Sequence, residues 1–538
     1  MRASADGWVA RKKEIDLLVA MNPETAREDV LGLPPGAAVV YDAPLALSGL
    51  REDLVFYGVP FDRLVEPLSG DAKLRKLLRN MAYVGVLARL LEIDLAEVES
   101  AIGKQFSGKA RARDLNVAAA RAGFEGAAGL EKRDGLRIRR LDRTAGKVLV
   151  DGNSAAALGA LFGGVTVVAW YPITPSSSLV ETLAGYLRRY RMGEDGKPTF
   201  AVVQAEDELA ALGMALGAGW AGARAMTASA GPGLSLMAEF AGLGYFAELP
   251  AVIFDVQRVG PSTGLPTRTS QGDVLSTAFL SHGDTRHVLL FPGSVEECFT
   301  MGAEAFDLAE RLQTPVFVMT DLDLGMNTWM ADPFPYPDRP LDRGKVLDRE
   351  TLERMGGFSR YRDVDGDGIG WRTLPGTEHP RAAYFTRGTG HDEHAAYSES
   401  GQVFERNMAR LERKLDGARA RLPAPVRLGR GARVGVIAYG SSDPAVRESQ
   451  AQLQAEHGLQ VDYLRVRGYP FAAEVGAFVA EHERTYVVEQ NRDGQLAALL
   501  KLDLPPGLVP RLRSIAHITG LPLDARSVTD ELSTQERS

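Results

Sequence analysis

Val165-Thr166-Val167-Val168-Ala169-Trp170-Tyr171-Pro172-Ile173-Thr174-Pro175-Ser176-Ser177-Ser178 runs from a buried apolar strand pattern, through a proline-bounded turn, into a helical pattern. Strand, turn and helix in that order form the first part of a β–α–β unit. The same alternation continues from about 146 to 330, with strands expected at 165–170, 200–203, 224–228, 250–255 and 315–319 and Ala- and Leu-rich helical stretches between them. Alternation of this kind implies a parallel sheet covered on both faces. The carboxyl ends of such strands open onto a ligand crevice, so the turns after the strands are where chemistry is expected.

Outside this region, residues 331–425 are rich in Pro, Gly, Asp and Arg and read as irregular, closing with a helix near 401–420. Alternation returns from 432 to 520, with strands at Val434–Tyr439, Val461–Val466 and Arg484–Glu489. Towards the N-terminus, 14–19 and 37–42 read as short buried strands and 71–102 as helices. Residues 123–145 mix Gly, Arg, Lys and Asp without a period, which suggests a linker. The expected organisation is therefore 1–122, a linker at 123–145, then 146–330, an irregular 331–425, and 426–538. No repeat at a solenoid period is present.

With 538 residues, 45% of them hydrophobic and 25% charged, the chain suits a soluble protein of several cores. A net charge of −8 argues against a general nucleic-acid binder. Cys298 stands alone, which excludes both an internal disulfide and a four-cysteine iron–sulfur cluster within the chain. It lies in a helical pattern and reads as a buried structural thiol, and such sparse cysteine suits a reducing cytoplasm. No apolar run approaches the roughly 20 residues of a membrane span, so no membrane is expected as a partner. The first residues lack the apolar core of a signal peptide.

Four segments hold candidate site residues. In Tyr171–Ser178, Thr174 is placed to cap the following helix, with Pro175 at its first position; its hydroxyl could also donate to a carboxylate. In Gln204-Ala205-Glu206-Asp207-Glu208, three acids stand at a strand-to-helix junction, where the helix dipole favours them. Glu208 differs because Leu209, Ala210, Ala211 and Leu212 follow it. A carboxylate in apolar surroundings needs a partner, and a cofactor ring nitrogen is one. Thr227-Ala228-Ser229-Ala230-Gly231-Pro232-Gly233 reads as a tight turn whose glycines allow close approach of a ligand. In Asp255–Thr267, Arg258 follows an apolar strand, suited to a bidentate carboxylate contact or to an ion pair with a structural acid.

Two apparent motifs are set aside. Gly366-Asp367-Gly368 lacks a leading strand and a paired asparagine, and the calcium-loop pattern beginning at Asp363 ends on Leu374 where a glutamate is required. A solvated acidic turn is the simpler reading, with a cation at Asp363, Asp365 and Asp367 the other. His391 and His394 lack the spacing of a zinc protease and read as part of a polar loop near an interface or ligand.

Taken together, the four segments resemble the α subunit of 2-oxoacid:ferredoxin oxidoreductases in order and spacing. Val488-Glu489-Gln490-Asn491-Arg492-Asp493-Gly494-Gln495 resembles the end of that family's transketolase-C-like domain. Asp16–Thr25 with Asn80–Leu91 resembles the γ domain fused ahead of α in 2-oxoglutarate-type members. The family's glycine-rich opening of that domain is missing here, so a partial γ domain is expected, from a misplaced start or a cut chain.

The resemblance implies a multi-domain α/β fold. Its parts are a thiamine-diphosphate-binding, pyrimidine-type parallel-sheet domain, a transketolase-C-like domain and the partial γ domain. It also implies that Glu208 hydrogen-bonds the aminopyrimidine ring, that Tyr171, Pro172 and Ile173 line the cofactor, and that Thr174 and Arg258 hold the substrate 1-carboxylate. Coenzyme A is implied as co-substrate. Magnesium, the diphosphate contacts and [4Fe-4S] clusters are expected on a β subunit in an αβ or α2β2 assembly, with ferredoxin as acceptor and no metal bound by this chain. The fused γ–α order favours 2-oxoglutarate over pyruvate or a branched-chain 2-oxoacid. A non-redox thiamine enzyme subunit and a non-catalytic assembly partner remain the other readings.

Overall fold

Short β-branched runs make the strands of two separate units in the computed structural model, which describes every residue except Lys132, Gly356 and Ser538. One unit comprises residues 1–7 and 12–145, the other 8–11 and 146–538.

In the first unit, β1 (Leu17–Ala20), β2 (Ala38–Asp42) and β3 (Val55–Val59) form a parallel sheet in that order. The central strand β2 is buried along Ala38–Tyr41, as its unbroken apolar run requires. The stretch 71–102 divides into helices Ala72–Leu90 and Leu95–Gln105, because Glu92 turns left-handed (φ 59°) and Asp94 caps the second helix by accepting from Ala96 N. A third helix, Ala110–Gly126, packs on the first at glycine contacts. A Cβ on Gly85 would lie 1.9 Å from Ala120 O, and one on Gly123 would lie 1.9 Å from Ala82 O.

Residues 123–145 are not a free linker. The third helix runs into them, Leu130 and Leu136 pack on the apolar core, Arg133 N donates to Tyr57 Oη, and Ile138 N donates to Leu91 O. These few anchoring apolar residues carry no period, so pattern alone does not reveal them.

The second unit begins with β4 (Val148–Asp151). β5 (Val167–Trp170), β6 (Ala201–Gln204), β7 (Ala225–Ser229), β8 (Ala251–Gln257), β9 (Val288–Leu290) and β10 (Pro315–Asp321) follow, and then β11 (Thr328–Ala331), which pairs antiparallel with β4. Beyond these come β12 (Val426–Leu428), β13 (Val434–Ala438), β14 (Val461–Arg465), β15 (Gly468–Tyr469), β16 (Arg484–Glu489) and β17 (Leu512–Ala516). The main sheet has the order β15-β9-β10-β8-β7-β5-β6, parallel except for β15. That edge strand comes from the C-terminal region, which also builds a second sheet, β12-β14-β13-β16-β17. Apolar side chains of the two sheets share one core, with Ile253, Phe317, Ile437 and Leu464 among its members.

Strand order turns back between β5 and β7. The chain leaves β5 outward to β6, whereas it leaves β7 the other way to β8. Adjacent strands whose connections diverge leave a crevice at their carboxyl ends. Helices Gly152–Phe162, Ser177–Tyr190 and Val295–Leu312 cover one face of the sheet, and Glu208–Trp220 and Gly231–Phe246 the other. Cys298 is fully buried in the first of these layers, and burial pushes its thiol well above the usual range, which leaves it inert.

Residues 331–425 hold helices Arg349–Met355 and Gly401–Ala418 in otherwise irregular chain, yet they are tightly packed. Glu248 is fully buried and accepts from Arg410 at 2.5 and 3.1 Å and from Lys414 at 2.8 Å. Burial pushes Lys414 down to about 8 against the pull of Glu248. The Asp363 loop is closed from within: Lys345 Nζ lies 2.6 Å from Asp365 and 2.7 Å from Asp367. His391 is buried and stacks on Tyr361 at 4.0 Å between ring centroids, with Nε2 3.2 Å from Asn407 Nδ2. It is a packed core group, while His394 is exposed and meets Ser359 Oγ. Among the described residues no helix is long and apolar enough to cross a membrane.

Replacing Glu248 by Ala leaves Arg410 and Lys414 buried without a counter-charge. The expected loss is about 3–5 kcal/mol of stability, to be measured by denaturant unfolding of the purified chain.

Candidate functional site

Four turns at the carboxyl edge of the main sheet bring the site together. After β5, the helix starts later than the sequence suggests. Ser177 is its first residue and Ser176 holds the cap position, so Thr174 does not cap it. The Ser176 and Ser177 hydroxyls instead donate to Ile173 O at 3.0 and 3.2 Å, tightening the turn. Thr174 is exposed, and its carbonyl accepts from Arg258 Nη1 at 2.6 Å. Tyr171 and Pro172 are exposed beside it and Ile173 is half-buried.

After β6 the three acids take three different roles. Glu206 faces solvent, and Asp207 caps the helix by accepting from Ala210 N at 2.6 Å. Glu208, the first helical residue, is only 6% exposed. Its carboxylate has no hydrogen-bond or ion-pair partner among the described residues. A carboxylate so enclosed, with no donor from the protein, is suited to a donor brought by a ligand.

The turn after β7 makes room for it. A Cβ on Gly233 would lie 1.9 Å from Ser229 Oγ, 2.8 Å from Glu208 Cγ and 3.0 Å from Glu208 Oε1. Only glycine lets Glu208 and Ser229 occupy these places. The Ser229 and Thr227 hydroxyls are also buried without partners.

After β8, Arg258 is 7% exposed and meets no carboxylate within ion-pair distance among the described residues, so the structural ion pair is not formed. It donates to Thr174 O and, at 3.1 Å, to Thr263 O, while its Nε is buried and unpartnered. Thr174 and Arg258 are thus in contact, and Glu208 stands on neighbouring turns of the same sheet edge with no hydrogen bond to either.

Sequence reasoning gave no role to two further acids. Asp255, inside β8, is fully buried with both carboxyl oxygens unpartnered. Burial, reinforced by Asp273, pushes its carboxyl well above the usual range. Burial raises Asp273 to about 7, against the opposing pull of Arg258. Asp273 precedes the helix Val274–Ala278, and its N–H donates to Gln257 Oε1 at 3.1 Å. An acid within the apolar run of β8 was a visible signal; nothing in the local sequence distinguished Asp273.

A mostly buried carboxylate near a strand-order reversal, on the same sheet edge as an arginine that has N–H groups to spare, suits a cofactor with a basic ring and an acidic substrate. Residues 158–351 match the family model described as pyruvate flavodoxin/ferredoxin oxidoreductase, thiamine-diphosphate-binding. Residues 1–126 match pyruvate ferredoxin/flavodoxin oxidoreductase. Subunit α of 2-oxoacid:ferredoxin oxidoreductase 2 from Aeropyrum pernix is 34% identical over 487 residues, 87% of this chain and 74% of the relative. The chain belongs to the family of 2-oxoacid:ferredoxin oxidoreductase α subunits. A 2-oxoglutarate synthase subunit KorA from Methanothermobacter thermautotrophicus is 36% identical over 351 residues, 64% of this chain and 87% of that one. The solved 2-oxoglutarate:ferredoxin oxidoreductase from Magnetococcus marinus, with 2-oxoglutarate, coenzyme A and succinyl-CoA bound, is similar with a TM-score of 0.86 at 28% identity. That match covers 97% of this chain and 88% of the other. Members of the family are named as α subunits, so the chain is one part of a multi-chain oxidoreductase.

Gly233→Ala should drive Glu208 and Ser229 from their places. Turnover of the assembled enzyme is expected to fall about a hundredfold, while circular dichroism of the chain stays that of the wild type.

Proposed function

We propose that this chain binds the pyrimidine end of thiamine diphosphate and the 1-carboxylate of 2-oxoglutarate. A β subunit holds the diphosphate, magnesium and [4Fe-4S] clusters. The reaction converts 2-oxoglutarate, coenzyme A and two oxidised ferredoxins to succinyl-CoA, carbon dioxide, a proton and two reduced ferredoxins, or runs in reverse. The observation that carries this reading is Glu208, only 6% exposed and with no partner for its carboxylate among the described residues, at the carboxyl edge of the sheet where the strand order reverses.

The residues fit the pyrimidine end of the cofactor. A ring nitrogen bearing a proton, or sharing one with Glu208, supplies the donor that this carboxylate lacks. When bound, thiamine diphosphate supplies a carbon nucleophile and an electron sink. Glu208 holds the proton at the ring nitrogen, from a helix start whose next turn, Ala211 and Leu212, is fully buried. Arg258 retains N–H groups beyond the two donated to Thr174 O and Thr263 O, which suits it to a carboxylate. The Thr174 hydroxyl is available beside it, and Tyr171, Pro172 and Ile173 frame the opening.

The charged tail of the cofactor finds no comparable setting among the described residues. The aspartates at 365 and 367 are taken by Lys345, and one cysteine cannot ligate a [4Fe-4S] cluster. These points support a second subunit for those tasks, in an αβ or α2β2 assembly, and ferredoxin is the acceptor in this reading. The relative named for 2-oxoglutarate synthase supports that substrate. Pyruvate is the second reading, favoured by the wording of the family models.

Turnover of the reconstituted complex should fall a hundredfold or more, on the order expected for a lost proton-transfer group, with Glu208→Ala; near-normal activity would remove Glu208 from the mechanism. Arg258→Ala should raise KM for the oxoacid by about ten- to a hundredfold, the worth of one charge-assisted contact. Rates with 2-oxoglutarate, pyruvate and a branched-chain 2-oxoacid, with a viologen acceptor, rank the substrates. Tight, magnesium-dependent binding of thiamine diphosphate to the isolated chain would contradict the division of the cofactor between subunits.

A further inference from the structure

Asp273 interacts electrostatically with both Asp255 and Arg258 in a part of the sheet edge where polar atoms go unpaired. Both Asp255 oxygens, Asp273 Oδ2, Arg258 Nε and Ser229 Oγ are buried without hydrogen-bond partners. Ser229 and Asp255 are in register on adjacent strands, and the Asp273 carboxylate packs 2.6 Å from where a Gly231 Cβ would lie. Gln257, the residue before Arg258, holds the Asp273 backbone through its side chain.

We propose that Asp255 and Asp273 form a proton-holding pair electrostatically linked to Arg258, and that a 2-oxoacid carboxylate arriving at Arg258 is coupled to uptake of one proton by this pair. The inference rests on the reading of Arg258 as the carboxylate anchor.

The argument is electrostatic. Two neighbouring buried acids do not both ionise, so the pair carries at most one negative charge near neutrality. When Asp273 holds that charge, it and the incoming carboxylate compete for Arg258. A proton taken from solvent onto Asp273 removes the competition. No bond other than O–H forms, and no electron moves.

The other charged or titratable groups around the pair are few. Glu208 lies across Ser229 and Gly233 on the neighbouring helix. Tyr439 approaches from the second sheet, its hydroxyl held far up by burial, with Asp321 and Glu489 beyond it, both raised by burial. Of these, Asp273 is the acid that Arg258 acts on directly and that titrates at about 7.

The sign follows. Below about pH 7 Asp273 is protonated, Arg258 is uncontested, and substrate binding is strongest and independent of pH. Above it, binding must draw a proton from an increasingly alkaline solvent, and KM rises, approaching about tenfold per pH unit for one linked proton.

The test measures KM and kcat for 2-oxoglutarate from about pH 6 to 9 in the reconstituted complex. Wild type and Asp273→Glu should show KM rising above neutrality. Asp273→Asn should hold KM near its low-pH value throughout, the change falling on KM and its pH profile. A KM for Asp273→Asn that climbs in parallel with wild type overturns the coupling. Arg258→Ala separates the two ideas: a KM raised at every pH supports the anchor, and an unchanged KM sinks the anchor and this inference with it. Should Asp273→Asn fail to assemble, calorimetry of glutarate binding to the wild-type complex near pH 7.5 decides, in two buffers of different ionisation enthalpy. Different heats indicate proton uptake, and equal heats overturn it.

Discussion

Gln271 is fully buried where the second sheet meets the carboxyl edge of the first. Its side-chain nitrogen donates to Tyr439 O at 3.1 Å, and its side-chain oxygen accepts from Ser442 Oγ and Gln490 N at 3.1 Å each. Its backbone N–H donates to Gln490 O at 2.8 Å, and its carbonyl accepts from Asn491 Nδ2 at 2.8 Å. Each such group left unpaired in the interior would cost about 1–3 kcal/mol. The second sheet therefore settles against the first in a single arrangement. Asp273 is two residues further on, tied to Gln257, and Arg258 follows Gln257 directly. The geometry around Arg258 and Asp273 is inherited from this seam.

The protein treats buried charge in two ways. Around Glu248 every demand is met, with Arg410 and Lys414 close enough to hold its carboxyl far below the usual range despite full burial. At the sheet edge, Asp255 and Arg258 hold buried polar atoms without partners, and the mostly buried Glu208 has no partner for its carboxylate among the described residues. The first arrangement favours one rigid packing. The second leaves free energy to be recovered when a ligand arrives, and the α-subunit family to which the chain belongs gives that ligand its chemistry.

The acid trio at 206–208 illustrates how far linear reasoning reaches. All three residues have the same local explanation, attraction to a helix N-terminus. Apolar neighbours after Glu208 singled it out, and its burial agrees. Thr174 shows the opposite. A threonine followed by proline reads as a cap, yet Ser176 and Ser177 draw the chain back onto Ile173 O and delay the helix. Residues 123–145 looked unstructured because Leu130 and Leu136 bury themselves without periodicity.

By itself the sequence determined the alternation of strands and helices, the turns that carry Glu208, Thr174 and Arg258, and the glycines that admit them. These depend on local propensity and on side-chain period, which act over a few residues. Tertiary structure alone decided that the order reverses between β5 and β7 and that a C-terminal strand completes the main sheet. It also decided that Asp255 and Asp273, 18 positions apart in the chain, come close enough to influence each other's ionisation. Strand order, burial and electrostatic coupling depend on which distant segments meet, and no local pattern encodes that.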